Sequence, residues 1–124
     1  MRRLCPDCQT PAVLSPNILK KFIKFLADVP VSFRSDLNLD NLKFWQASGC
    51  ASCGNSGYCG RLVVAEIMLF SPALRDLISR GFSPQALKAE LKHQNFVSLS
   101  ADGLLKAAQG LTSLEELVAN DLLI

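Results

Sequence analysis

The 124-residue sequence is short of several things, and each shortage narrows what it can be. It has no apolar run near the roughly 18 to 20 residues that cross a bilayer. Its opening, Met1-Arg-Arg-Leu-Cys-Pro6, is basic, but Asp7, Gln9 and Thr10 follow and deny it the apolar core of a signal peptide. Only 19% of residues are charged and the net charge is +2, which excludes a disordered acidic or basic tail. Histidine occurs once, as His93, beside Lys92 and Gln94 on the polar side of a predicted helix, where it reads as a surface residue. No Gly-x-x-x-x-Gly-Lys-Ser/Thr phosphate loop and no Gly-x-Gly-x-x-Gly turn is present. Glu66 has no partner carboxylate in view, and Asp102 reads as first-turn helix charge. With no nucleophile–base pair to nominate, the reading is a soluble intracellular chain that is not itself an enzyme. Its length and its 49% of hydrophobic residues are enough to bury a core.

Five cysteines in such a chain need a reason other than disulfides, because thiols stay reduced inside cells. Four of them form two Cys-x-x-Cys pairs, Cys5–Cys8 and Cys50–Cys53. A two-residue spacing lets both sulfurs of a tight loop face one ion, and two such loops supply a closed tetrahedral zinc site. Gly49, Gly54, Gly57 and Gly60 surround the second loop and allow the positive φ values and free N–H groups of a thiolate-bearing knuckle. Four thiolates with Zn²⁺ leave a local charge of about −2, and Arg2, Arg3 and Arg61 are close enough in sequence to offset it. A thioredoxin-like pair would follow a strand and open a helix, and neither loop has that setting. The expected ligands are therefore Cys5, Cys8, Cys50 and Cys53, with Cys59 as a bystander thiol. A closed four-sulfur site has no open position for substrate, so this metal would be structural. The 41 residues from 9 to 49 exceed the spacing of a compact zinc ribbon, so they must form structure of their own.

The expected fold is mainly α with a small antiparallel β-hairpin at the zinc site, an α+β arrangement dominated by helices. Ser15-Pro16 opens a helix with Ile18, Leu19, Phe22, Ile23 and Leu26 inward and Lys20, Lys21 and Lys24 outward, and Pro30 ends it. Residues 31–41 read as a polar loop. Leu42–Ala47 and Arg61–Leu69 have strand character and would form the hairpin around the second knuckle. From Ser71 onward the pattern is helical, with starts at Ser71-Pro72, Ser83-Pro84 and Ser98, and a capping box at Thr112-Ser-Leu-Glu115. Leu74, Leu77 and Ile78 face inward in the first of these, and Gly81 and Gly110 act as C-terminal stops. The division expected is a tetracysteine subdomain over residues 1–70 and a packed helical subdomain over 71–124. Residues 1–61 hold eight Lys+Arg and four Asp+Glu (+4), and residues 62–124 hold five and seven (−2). That asymmetry is too weak for a nucleic-acid footprint, and the triple-lysine face reads as solvated surface.

Three separated motifs together resemble a known family. They are Arg2-Arg-Leu-Cys-Pro-Asp-Cys8, then Gly49-Cys-Ala-Ser-Cys-Gly-Asn-Ser-Gly-Tyr-Cys-Gly-Arg61 with Glu66-Ile, then Ser98-Leu-Ser-Ala-Asp-Gly-Leu-Leu-Lys106 with Gly110-Leu-Thr-Ser-Leu-Glu-Glu-Leu117. In this order they look like the C-terminal part of the secretion ATPases, the hexameric motors of type II secretion and type IV pilus assembly. The resemblance implies zinc on Cys5, Cys8, Cys50 and Cys53, as in most members of the assembly branch; the pilus retraction motors lack this insert. It implies a cytoplasmic protein peripheral to the bacterial inner membrane, with neighbouring motor subunits and an inner-membrane platform protein as partners. ATP and Mg²⁺ would be held by a RecA-like core that is absent here, so the resemblance makes this chain an excised or truncated C-terminal domain without ATPase activity. One departure stands at Val63, where the family usually has glycine. The competing readings are a free-standing zinc-ribbon adaptor binding nucleic acid through Arg2, Arg3, Lys20, Lys21, Lys24 and Arg61, and a thiol oxidoreductase.

Overall fold

The computed structural model describes residues 1–123. Among them, four short strands and five α-helices follow the order β1 (Arg2–Leu4), β2 (Thr10–Pro11), α1 (Pro16–Ala27), β3 (Trp45–Gln46), β4 (Tyr58–Arg61), α2 (Pro72–Ser79), α3 (Pro84–His93), α4 (Leu99–Ala108) and α5 (Leu114–Ala119). The helix-dominated α+β class expected from the sequence stands.

The helices begin where their serines predict. Ser15, Ser71, Ser83 and Ser98 each accept a hydrogen bond from the amide three residues on, and proline follows directly at the first three. At α5 the cap shifts by one residue. Ser113, not Thr112, accepts from the Glu116 amide, which frees the Thr112 hydroxyl for a different bond. The loop after α1 is tightened by two 3₁₀ turns, Val31–Phe33 and Leu39–Asn41, the second capped by the Asn38 side chain.

The strands do not pair as a hairpin. β1 pairs antiparallel with β4, and β2 pairs antiparallel with β3, so each cysteine loop lies between strands that reach across to the other loop. The run Arg61–Leu69 is a strand only at its start; residues 62–70 have no regular secondary structure. Strand propensity needs a pairing edge to act on. Here the chain is drawn towards α4 by other groups instead. Asp102 accepts from the Ala65 amide, Lys106 donates to the Val63 carbonyl, and Glu66 accepts from the Leu99 amide at the start of α4. Asp102 and Glu66 thus hold this segment, a role that their sequence surroundings did not suggest.

One hydrophobic core draws on both sides of residue 70. Leu26, Val29, Leu42 and Phe44 pack with Leu104, Leu105, Ala108 and Leu117, and the Phe22 and Phe44 rings meet edge to face at 5.4 Å. The central element is α4, whose Ala101, Gly103, Leu104, Leu105, Ala107 and Ala108 are all buried. Gly103 is required by closeness: a Cβ there would lie 2.5 Å from Leu117 Cδ2, so α5 could not approach. The principal contacts join α1 to α4, α4 to α5 and α2 to α3. The physical reason is stripe width: α4 is apolar on most sides and takes the centre, whereas α2 and α3 cover their narrow stripes with each other. Ile78, expected inward, is exposed, while Leu74 is fully buried.

Leu104→Ala, at the centre of this core, is expected to lower unfolding free energy by about 2–5 kcal/mol. Leu69→Ala, on a residue that is 64% exposed, is expected to change it by less than about 0.5 kcal/mol. Urea titrations of the two variants beside the parent chain check both values.

Candidate metal centre

Each Cys-x-x-Cys pair folds as the same kind of tight turn. The Cys8 amide donates to the Cys5 carbonyl, and the Cys53 amide donates to the Cys50 carbonyl. The first turn follows β1 directly; the second is a single 3₁₀ turn, Ala51–Cys53, ended by Gly54 in the left-handed region. The two turns are locked together by the Cys5 amide donating to the Gly57 carbonyl at 2.9 Å. Two glycines make this possible. Gly49 (φ +93°) would place a Cβ 2.6 Å from the Asn55 carbonyl oxygen, and Gly57 (φ +74°) would place one 2.5 Å from the Ala47 Cβ.

The result brings together all four cysteines nominated from the sequence. Cys5, Cys8, Cys50 and Cys53 sulfurs lie within 4.8 Å of one another. The separations are 3.9 Å for Cys5–Cys50, 3.8 Å for Cys8–Cys53 and 3.7 Å for Cys50–Cys53. A zinc ion with Zn–S bonds of about 2.3 Å at the centre of a regular tetrahedron has S···S edges of about 3.8 Å. Donor type, number and spacing thus fit a closed four-thiolate zinc site. Cys59 is exposed and outside the group.

Electrostatics sets Cys53 apart from Cys5 and Cys8. The Cys50 amide, and after it the Gly57 amide, donate to Cys53 Sγ and bring its pKa down to about 6 against the opposing effect of burial. Cys5 goes the other way. An amide hydrogen bond from Asp7 favours its thiolate, but burial and the three neighbouring thiols together push it up to about 12. Burial first, then the Cys50 thiol, raises Cys8 as well. A thiolate is favoured at Cys53 and disfavoured at Cys5 and Cys8, so these last two call for a cation to ionise.

Arg2 does not offset the thiolate charge. Its amide and Nε donate to the Glu116 carboxylate at 2.8 and 2.6 Å, and its guanidinium lies 4.1 Å from the Tyr58 ring centroid. The Thr112 hydroxyl donates to the Arg2 carbonyl, the Leu4 amide donates to the Leu111 carbonyl, and Tyr58 shares a 2.9 Å hydrogen bond with Ser113. Neutralisation at Cys53 comes from backbone amides instead. Sequence reasoning missed Thr112, Ser113 and Glu116 as supports of the first knuckle. They lie 110 or more residues from Arg2 with no spacing rule to connect them.

Burial raises the pKa of Glu116, but the hydrogen bonds from the Arg2 guanidinium and amide, with their charge, outweigh it and hold the carboxyl below its ordinary value. Its contribution to stability is therefore fully present above an unfolded-state pKa of about 4.3 and is lost as pH falls through the lower folded value. The stability gap between the parent chain and Glu116→Gln should be widest near neutrality and close progressively below about pH 4.3. Urea midpoints measured across that range test the assignment, and a gap independent of pH would contradict it.

Comparison with known proteins places the chain. The family model described as type II/IV secretion system protein matches residues 1–119. The type IV pilus assembly ATPase PilB of Myxococcus xanthus is 34% identical over 119 residues, covering 96% of this chain and 19% of that protein. The type II secretion system ATPase E of Vibrio cholerae is 32% identical over 118 residues, covering 95% of this chain and 21% of that protein. The PilB of Thermus thermophilus is 29% identical over 119 residues, with 96% and 12% covered. The chain spans about a fifth or less of the length of these relatives. Among the described residues, no helix is long and apolar enough to cross a membrane.

Proposed function

The chain belongs to the type II/IV secretion system protein family, and from that we propose that it is the zinc-stabilised, non-catalytic C-terminal domain of a hexameric secretion or pilus-assembly motor. The observation that carries the reading is the convergence of Cys5, Cys8, Cys50 and Cys53 with the sulfur spacing of a tetrahedral thiolate site. Bound zinc supplies a strong cross-link between the knuckles and no reactive position. The chain's own residues do the rest. Gly49 and Gly57 permit the close turns, the Cys50 and Gly57 amides stabilise the Cys53 thiolate, and Glu116 with Thr112 holds β1 so that Cys5 and Cys8 face the second pair.

In this reading the domain's work is mechanical. It gives the motor subunit a rigid body that transmits movement to neighbouring subunits and to an inner-membrane platform protein, on the cytoplasmic side of the membrane. ATP binding and hydrolysis belong to the part of the relatives' length that this chain does not cover. The relatives' own descriptions as ATPases, together with the 12 to 21% of their length that is matched, support that division of labour.

Chain purified under reducing conditions should hold about one zinc per molecule by elemental analysis, with no ATP turnover. Cys50→Ser should lose most of the metal and unfold at a lower temperature. Acidification should release zinc progressively, because protons compete with the ion for the thiolates. A fully folded chain without zinc, equally stable with and without chelator, would overturn the proposal.

A further inference from the structure

We propose that the free edge of residues 64–69 pairs antiparallel with the same segment of a second copy, making a two-fold dimer of this chain. The inference stands on this edge alone and does not rest on the motor reading. It begins where the β1–β4 ladder stops. Beyond Arg61 the ladder gains one more complete pair: the Met1 amine donates to the Leu62 carbonyl at 3.1 Å, and the Leu62 amide donates to the Met1 carbonyl at 3.0 Å. The next bonds go to the other side, where Lys106 of α4 donates to the Val63 carbonyl and Asp102 of α4 accepts from the Ala65 amide. In extended chain, successive residues direct their N–H and C=O groups to opposite edges. By this alternation Val64, Glu66 and Met68 face the edge on which Met1 lies. Among the described residues, none of these three has a backbone hydrogen bond.

The side chains along this edge are those that a solvated edge avoids. Ile67, Met68, Leu69 and Phe70 are four consecutive large apolar residues, 74%, 48%, 64% and 54% exposed, and Val63 before them is 75% exposed. An exposed apolar run of that length marks a contact surface. Edge strands are ordinarily guarded by lysine, proline or a bulge, and residues 62–70 hold neither lysine nor proline. Their one charged residue, Glu66, is drawn away from the edge, because its carboxylate accepts from the Leu99 amide at the start of α4.

A second copy fits this edge because the segment is its own complement. With a two-fold axis at Ile67, Glu66 lies opposite the partner's Met68, Ala65 opposite the partner's Leu69, and Val64 opposite the partner's Phe70. No like charges meet in that register. An axis at Glu66 would set two carboxylates face to face, and like charges directly opposite destabilise a pair of strands. The Ile67 register also brings a knob to a hole. Met1, Val64, Leu99 and Leu122 are among the residues lining a cavity of about 340 Å³ at the Val64 end of the edge, and the partner's Phe70 arrives there. The Ser71 amide, donating to the Leu69 carbonyl, turns the chain into α2 and ends the ladder. Six residues a side fall short of the roughly 20–30 of a standard interface, so the dimer is a reversible one that forms in the micromolar range.

The test uses the whole 124-residue chain, loaded with zinc and kept reduced, in sedimentation equilibrium across the micromolar range. A monomer–dimer equilibrium is expected. Ile67→Lys sets two ammonium groups opposite each other on the axis and should raise the dissociation constant at least about tenfold, with circular dichroism unchanged. Phe70→Ser should raise it several-fold. Ile18→Lys, at an exposed apolar residue of α1, should leave it unchanged. A chain that is monomeric at every concentration overturns the proposal, as does a dimer that Ile67→Lys leaves intact or that Ile18→Lys weakens equally. Capture of a short Val/Thr peptide by a chain that stays monomeric would assign the edge to a foreign strand and overturn it as well.

Discussion

Arg2 and its neighbours in β1 are gripped by residues more than a hundred positions away, and the cysteine site depends on that grip. Glu116 takes the Arg2 amide and guanidinium, Thr112 takes its carbonyl, and Leu111 takes the Leu4 amide. β4 pairs along the other edge of the same strand. Held from both sides, Leu4 and Cys5 are almost completely buried, and the first knuckle can point only towards the second. The buried carboxylate is tolerable because a backbone amide and a guanidinium both donate to it, so its charge is shared by two strong hydrogen bonds. A cluster built from two remote loops needs such a clamp, since bringing two free loops together costs the entropy of the chain between them.

The second knuckle is organised locally and the first is organised from afar. Between Gly49 and Gly57 the backbone turns back on itself, and its amides point at Cys53. An amide reaches each of Cys5 and Cys8 as well, from Asp7 and from Gly49, but burial and the other sulfurs outweigh them and push both thiols towards the neutral form. The two halves therefore contribute differently. One presents a stabilised thiolate, and the other presents thiols whose ionisation calls for a cation.

Beyond the site, the molecule has a dense centre and a looser flank. α4 is enclosed by α1, α5 and the segment that its own Asp102 and Lys106 bind, whereas α2 and α3 rest chiefly on each other. Between them runs the stretch from Val63 to Phe70, where Ile67, Met68, Leu69 and Phe70 are all exposed. The β-favouring run over residues 61–69 finds no edge to pair with here among the described residues, which is why it yields a strand only at its start. The same tethering gives Glu66 and Asp102 work that has nothing to do with acid–base chemistry. Each satisfies a backbone amide, one of them at the start of a helix.

Helix starts are legible along the chain, because a serine cap followed by proline acts within one turn. The four cysteines that the fold gathers were equally visible there, as two pairs at a two-residue spacing. Local backbone demands were equally legible: Gly49, Gly54, Gly57 and Gly60 all adopt positive φ. Every pairing between distant segments depends instead on the assembled fold. It set β1 with β4 in place of a hairpin, Ser113 in place of Thr112 as cap, and Arg2 on Glu116 in place of the sulfurs. It also set the lysines of α3 beside Phe25 of α1. Periodicity and spacing report on neighbours along the chain, whereas these choices were settled by which buried polar group found a partner once α4 had taken the centre of the core.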